Sequence, residues 1–368
     1  MSEAPARQEM LAGTEEPPEH LRLDLDRLRA WLAPRLEGLD GPLTAAKFKG
    51  GQSNPTYLVT GPGARYVLRR KPPGSLVASA HAIDREYKVY AAVSAVGIPV
   101  PRPYLYCDDA DVVGTEFYVA EHVEGRVFWD AELPGLTPAE RSAVYDDLAR
   151  VLAAIHRLDP DAIGLGDLAR REGYERRNFE RWAKGYEASK LADIADMDWL
   201  IATLPDHLPA DVPAGLLHGD FGLYNVIVDG SAPRVRAALD WEMATLGDPL
   251  VDLAHHLRAW WEPRDDTGAA TSLAGRDLAA LGIPTAQGQV AAYARHRGIP
   301  LPDLNVYLAY AQFRYAAMIQ GILKRAATGT AAARKVLHTQ ERVVAVARMA
   351  RRTLEEGLQP HPIGSLAS

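Results

Sequence analysis

Asp220 and Asn225 stand five residues apart in the run His218-Gly219-Asp220-Phe221-Gly222-Leu223-Tyr224-Asn225, and Ala238-Leu239-Asp240-Trp241-Glu242 follows soon after. On a tight loop, an Asp and an Asn at that spacing can face one point. The Asp can take a proton from an attacking hydroxyl, and the Asn amide oxygen can ligate a metal. Val226-Ile227-Val228 reads as a strand, and Asp229-Gly230 turns the chain into a second strand ending at Asp240. That hairpin returns Asp240 to the side of Asn225. Two oxygen ligands at one spot suit Mg²⁺, which keeps waters and phosphate oxygens for the rest of its shell. One base, two metal ligands and little covalent chemistry are the parts of phosphoryl transfer.

The neighbouring polar residues have plainer uses. His218 reads as a buried histidine bonded to the loop backbone. Asp248 and Asp252 flank a helix start, where capping and loop support are their default. Glu242 either helps with a second metal or orients the first. A simple Asx turn is the bland alternative for Asp220 and Asn225.

The elements that must position these residues follow from periodicity. Leu25, Leu28, Leu32 and Leu36 recur at helical spacing. Tyr57-Leu58-Val59-Thr60 and Tyr66-Val67-Leu68-Arg69 are β-rich runs joined by Gly61-Pro62-Gly63, a hairpin. Residues 82–95 return to a helical period through Ile83, Tyr87, Tyr90 and Val93, and Pro99, Pro101 and Pro103 break it. Phe117-Tyr118-Val119-Ala120 is another strand, closed by Gly125. Thr137-Pro138-Ala139-Glu140 is a capping box opening a long helix. Residues 303–326 and 331–357 carry two more long helical patterns. The architecture is therefore α+β: a small β-rich lobe, then a larger helical lobe, with the cleft between lobes as the usual place for a ligand. The expected division is a flexible tail over 1–20, a nucleotide-binding lobe over 21–124, and a catalytic and substrate-binding lobe over 125–368.

The bulk composition narrows the function. The chain has 368 residues, 47% of them hydrophobic, enough for a large core. A net charge of −7 argues against nucleic acid as partner. Cys107 is the single cysteine, so no internal disulfide and no Cys-rich zinc site is expected. No secretory signal and no membrane-length apolar run is found, and a reducing, cytoplasmic setting fits.

The combined pattern H-x-D-x-x-x-x-N, then D-x-E, then Gly247-Asp248-Pro249-x-x-Asp252-Leu253-Ala254 resembles the aminoglycoside phosphotransferase and choline kinase superfamily. The resemblance covers residues 40–325 and implies a bilobal protein-kinase-like fold with ATP and Mg²⁺ as cofactors. Phe48-Lys49-Gly50-Gly51-Gln52-Ser53-Asn54, Val67-Leu68-Arg69-Arg70-Lys71-Pro72-Pro73-Gly74 and Glu121-His122-Val123-Glu124-Gly125 are similar to the branch found fused to acyl-CoA dehydrogenases. Carried over, the resemblance implies Asp220 as catalytic base and Asn225 and Asp240 as Mg²⁺ ligands. Gly50, Gly51, Gln52, Ser53 and Asn54 would form the loop over the ATP phosphates. Glu86 would be the helix acid orienting the strand cation, and Glu121 and Val123 would meet adenine through backbone groups. The usual phosphate-pairing Lys is absent, and Arg69 takes its place. Lys71, expected on the same face of the strand, is its rival.

The acceptor implied is a small-molecule hydroxyl, with a hydroxy acid or hydroxyacyl-CoA favoured. The alternatives are an aminoglycoside, an amino alcohol or a sugar. A protein kinase is disfavoured by Gly219 after His218 and by the seven residues between Asp240 and Asp248. A non-catalytic nucleotide-binding module is the remaining rival. Arg170, Arg171, Arg176, Arg177, Arg181 and Lys184 form either a solvated helix face or a dock for an anionic substrate. Trp260 and Trp261 either wall a pocket or pack in the core. Nothing in the sequence speaks to oligomeric state.

Overall fold

The structure is a computed structural model that describes residues 12–50, 54–73, 83–209, 212–263, 272–328 and 339–357. The strands are β1 (Thr14–Glu15), β2 (Thr44–Phe48), β3 (Thr56–Thr60), β4 (Arg65–Arg70), β5 (Pro103–Cys107), β6 (Phe117–Glu121), β7 (Gly215–Leu217), β8 (Val226–Val228), β9 (Val235–Ala238) and β10 (Thr245–Gly247). The main helices are α1 (Leu25–Leu32), α2 (Ile83–Ala95), α3 (Pro138–His156), α4 (Tyr174–Ser189), α5 (Ala195–Thr203), α6 (Pro249–His256), α7 (Ala286–Arg297), α8 (Asn305–Ala327) and α9 (Gln340–Glu356). The fold is α+β, with a β-sheet N-terminal part and a helical C-terminal part.

Two compact units divide the chain. The first comprises Met1–Trp129, Ile163–Leu165 and Leu223–Ala244. Its antiparallel sheet has the order β1-β2-β3-β4-β6-β5. The expected hairpin is β3–β4, with Gly61 N–H donating to the Ala64 carbonyl at 2.9 Å. A Cβ on Gly61 would meet the Gly38 carbonyl oxygen at 2.5 Å, so this turn requires glycine. Leu28 and Leu32 of α1 pack with Tyr57, Val59, Leu68, Phe117 and Val119 of the sheet. α1 starts on Asp24, whose side chain accepts from Arg27 N–H, and it stops at Leu32. Leu36 lies beyond its end because Pro34 cannot continue the helix.

Three features differ from the sequence expectation. Residues 1–11 of the expected tail lie outside the described residues, but Thr14 and Glu15 pair with Phe48 and Lys47. β2 and β5 were not legible as strands. β2 reads Thr-Ala-Ala-Lys-Phe, and alanine has no strand preference. β5 begins on Pro103, which is tolerated because β5 is the sheet's edge. The third feature is the β8–β9 hairpin. It clusters with the first unit, whereas a single cut after residue 124 assigns it to the larger lobe. Arg126 bridges Val228 in antiparallel fashion, and Ala238 N–H donates to the Pro99 carbonyl at 2.7 Å.

The second unit comprises Asp130–Ala162, Gly166–Gly222 and Thr245–Ser368. α3 opens on the expected capping box, with Thr137 and Glu140 bonded reciprocally. The helical patterns at 303–326 and 331–357 become α8 and α9, and residues 329–338 lie outside the described residues. β7 and β10 pair antiparallel, Leu217 opposite Thr245 and Gly215 opposite Gly247. Among the described residues, no helix is long and apolar enough to cross a membrane.

Candidate active site

In the first unit the site is built around Arg69. β4 alternates, so Leu68 enters the core beneath the sheet while Arg69, only 8% exposed, points to the other face. There α2 offers Glu86, fully enclosed, at 3.0 Å from Arg69 Nε. One helical turn on, the Tyr90 hydroxyl accepts the Asp240 amide at 3.1 Å. Arg85 donates to the Ala244 carbonyl at 2.7 Å. α2 therefore grips both ends of the segment Asp240–Ala244.

The β8–β9 hairpin does what its sequence demands. Val226 pairs with Ala238, and Leu239 N–H donates to the Asn225 carbonyl at 2.8 Å. This sets the backbone leading into Asp240 beside Asn225. Asp240 itself takes φ 64, ψ 63, a left-handed conformation unusual outside glycine. Its Oδ1 receives Arg69 Nη2 at 2.8 Å, and the same nitrogen reaches Glu242 Oε2 at 3.1 Å. Asn54 is buried just ahead of β3, and its Nδ2 donates to Glu242 Oε2 at 3.3 Å.

One cation thus faces three carboxylates. Burial pushes the Glu86 carboxyl up to about 7; Arg69 opposes the rise, and the nearby Asp240 and Glu242 charges add to it. The guanidinium of Arg69 stays charged, because the carboxylates outweigh its desolvation. Asn225, Asp240 and Glu242 supply hard oxygen donors, and the buried Asn54 Oδ1 has no hydrogen-bond partner. That donor set fits Mg²⁺. Among the described residues no three His, Cys, Asp or Glu side chains gather to hold an ion by themselves. An ion here would take part of its shell from elsewhere.

Arg69 and Lys71 meet different partners. β4 ends at Arg70, so Lys71 lies past the strand and does not share its alternation. Its ammonium lies 3.8 Å from Glu116, and Arg69 alone of the two meets Glu86, Asp240 and Glu242. Gly50 follows β2, but Gly51, Gln52 and Ser53 lie outside the described residues. Glu121 closes β6, where its amide donates to the Arg102 carbonyl at 2.8 Å, and Val123 follows in the segment leaving the sheet.

The second unit holds Asp220. Its loop hangs on Asp252 of α6, whose Oδ2 accepts His218 N–H at 2.6 Å and whose Oδ1 accepts Gly219 N–H at 2.9 Å. Burial alone would raise the Asp252 carboxyl. His156 and the Gly219 amide outweigh it, and the group stays ionised. His218 is fully buried, and its Nδ1 accepts the Asp220 amide at 3.3 Å. Loop support is therefore the observed role of both His218 and Asp252. Asp248 caps α6 through Leu250 N–H at 3.0 Å. Gly219 takes φ 85, which the position after His218 needs.

Sequence reasoning missed His255, whose Nε2 lies 2.9 Å from Asp220 Oδ1. Its signal was present: His255 follows Asp252 by three residues, one face of a helix. Of the aromatic pair, Trp261 is buried, and the partly buried Trp260 donates from Nε1 to the Pro284 carbonyl at 2.8 Å. The arginine run is mostly spoken for locally. Arg170 pairs with Glu172, Arg171 with Asp161, and Arg176 with Glu180, while Arg177 donates to the Arg170 carbonyl.

Comparison with known proteins places these geometries in context. The family model described as "Phosphotransferase enzyme family" matches residues 44–299. Acyl-CoA dehydrogenase family member 11 of Rattus norvegicus is 40% identical over 351 residues, covering 92% of this chain and 44% of that protein. The chain thus spans less than half the length of that curated relative. A crystal structure from Ralstonia eutropha, described as "a putative aminoglycoside phosphotransferase", superposes with a TM-score of 0.82 at 41% identity, covering 92% of this chain and all of that one. Choline kinase from Cryptosporidium parvum shares the fold, with a TM-score of 0.62 at 10% identity over 90% of this chain and 96% of that one.

Proposed function

Because the chain belongs to the phosphotransferase enzyme family, we propose that it is an ATP- and Mg²⁺-dependent kinase acting on a hydroxyl group of a small molecule. The observation that carries this is the Arg69 cluster, where a strand cation, a helix acid and the acid after a hairpin meet within 3.1 Å contacts. Arg69 is the group to pair with nucleotide phosphates, a task its planar, permanently charged guanidinium suits. Asn225 and Asp240 would hold Mg²⁺, which when bound neutralises charge on transferring phosphoryl oxygens. Asp220, carried on its own fixed loop, accepts the proton of the attacking hydroxyl. His255 holds one oxygen of that carboxylate and sets its orientation.

The acceptor within this reading is a hydroxy acid or hydroxyacyl-CoA. Support comes from the 40% identity to a region of a protein named for acyl-CoA dehydrogenation. An aminoglycoside, amino alcohol or sugar is the alternative acceptor. A screen of hydroxylated metabolites, read by ATP consumption, tests both halves. Turnover of a hydroxyacyl-CoA lost in Asp220→Asn is the expected result. Stabilisation by Mg-ATP with no turnover of any acceptor would instead favour a non-catalytic nucleotide-binding module.

A further inference from the structure

The second unit carries a cation that the phosphoryl-transfer chemistry does not use. Arg314 lies on α8, with its guanidinium carbon 5.6 Å from the Trp182 ring centroid and 5.8 Å from that of Tyr310. Among the described residues no carboxylate pairs with Arg314, and its Nε is buried without a hydrogen-bond partner. Trp182 Nε1 and the Tyr310 hydroxyl are likewise buried and unpartnered. Tyr310 is only 1% exposed. An unmade hydrogen bond at a buried donor is costly, and here three such donors share one cluster.

A second cation belongs to the same neighbourhood. Arg181 precedes Trp182 on α4 and donates to Asn178 Oδ1 at 2.6 Å. Asn178 Nδ2 in turn donates to the Tyr174 hydroxyl at 3.1 Å, which links Arg181 to that ring, and both Arg181 and Arg314 oppose the rise that burial causes in the Tyr174 and Tyr310 pKa values. The carboxylates nearby are committed elsewhere. Glu175 accepts the Asp248 amide at 2.9 Å, and Asp252 holds the His218 and Gly219 amides. The Tyr174 ring packs on Gly247, where an added Cβ would come within 2.3 Å of it. Gly247 sits on β10, paired with β7, and β7 runs directly into the Asp220 loop.

Aromatic rings engage the faces of a guanidinium, while its N–H groups lie in the plane. With Trp182 and Tyr310 beside it, Arg314 offers its edge to an acceptor that no described residue supplies. We propose that Arg314, flanked by Trp182 and Tyr310 and assisted by Arg181, forms an anion-binding site that receives a carboxylate or phosphate group of the acceptor. That the anion belongs to the acceptor rests on the kinase reading above; the anion site does not. Two cations at this spot also oppose a polycationic acceptor such as an aminoglycoside.

The test is calorimetric titration of the full chain, saturated with Mg-ADP to fill the nucleotide site, using inorganic phosphate in one arm and glycolate in the other. The expected result is binding of at least one probe that weakens roughly 10- to 100-fold in Arg314→Met, the scale of losing a hydrogen bond to a charged group. Arg314→Lys should keep part of the affinity, and Mg-ADP affinity should hold in both. The stronger arm tells which oxyanion the site prefers. No binding of either probe to the wild type at 50 mM, a concentration set by the assay, overturns the proposal. So does equal binding by Arg314→Met. Should Arg314→Met fail to fold, Tyr310→Phe keeps the ring and removes only the unpartnered hydroxyl; unchanged probe affinity there, together with unchanged affinity in Arg181→Met, overturns it as well. Because binding is read without turnover, loss of the kinase reading and loss of the anion site give different results.

Discussion

The Asp220 carboxylate and the His255 imidazole meet at 2.9 Å, Oδ1 to Nε2, within the second unit. The pair joins the loop after β7 to the end of α6, and Asp252, one turn earlier on the same helix, holds the amides of that loop. Loop and carboxylate are thus oriented by a single helix. Asp220→Asn should leave Mg-ATP binding nearly intact and cut turnover by about 10² or more, the usual scale for a general base. His255→Ala should lower kcat by less, and His255→Asn, which retains a hydrogen-bonding amide, should restore part of it. Steady-state kinetics with nucleotide affinity measured in parallel checks both. Near wild-type turnover in Asp220→Asn removes it as the base.

Arg69 is the only cation that meets Glu86, Asp240 and Glu242 together among the described contacts. Its removal leaves the buried Glu86 carboxyl without its ion-pair partner, a loss that typically costs about 3–5 kcal/mol. Arg69→Ala should therefore lower the denaturation midpoint and raise the KM for ATP roughly tenfold or more. Lys71→Ala, which loses only a half-exposed contact to Glu116 at 3.8 Å, should change neither by much. A larger ATP effect from Lys71→Ala would reverse the assignment.

Asp240 is held in a left-handed backbone, with its side chain toward Arg69. Asp240→Ala and Asn225→Ala should each abolish most activity and raise the Mg²⁺ concentration needed for half-maximal rate. Titration of activity against Mg²⁺ distinguishes this from simple unfolding. An unchanged metal optimum in Asp240→Ala would take that residue out of the metal site.

Two buried groups predict opposite pH effects on stability. Burial lifts Glu86 from its ordinary 4.5 to about 7, so between those values the folded chain holds a proton that the unfolded chain has released. Stability from this group is therefore present below pH 4.5 and declines as pH rises toward 7. Burial lowers His256 from 6.5 to about 3, with the neighbouring His255 adding to the shift. Its contribution is full above pH 6.5 and declines as pH falls toward 3. Urea midpoints across pH 4–8 should show the first slope vanish in Glu86→Gln and the second in His256→Gln. A wild-type slope retained in both variants would contradict the two assignments.

What residue order determined by itself was local. Tyr57–Thr60 and Tyr66–Arg69 alternate around a Gly-Pro-Gly turn, a hairpin signal carried by neighbouring residues. The Thr137–Glu140 box starts a helix because both of its hydrogen bonds are within four residues. The Asp220, Asn225 and Asp240 pattern announced phosphoryl transfer because few other chemistries need a base and oxygen ligands at that spacing. What only the tertiary structure decided depends on residues far apart in the chain. Arg69 rather than Lys71 meets these acids because β4 ends at Arg70 and because Glu86 and Asp240, 17 and 171 residues away, arrive on its face. The β8–β9 hairpin joined the first unit through Arg126 and Pro99, contacts no local period encodes. Arg314 and Trp182 were invisible as partners, since nothing in either helix tells which face will meet the other. Long-range contacts are chosen by packing and by the cost of leaving buried polar groups unpaired, and both are properties of the assembled chain.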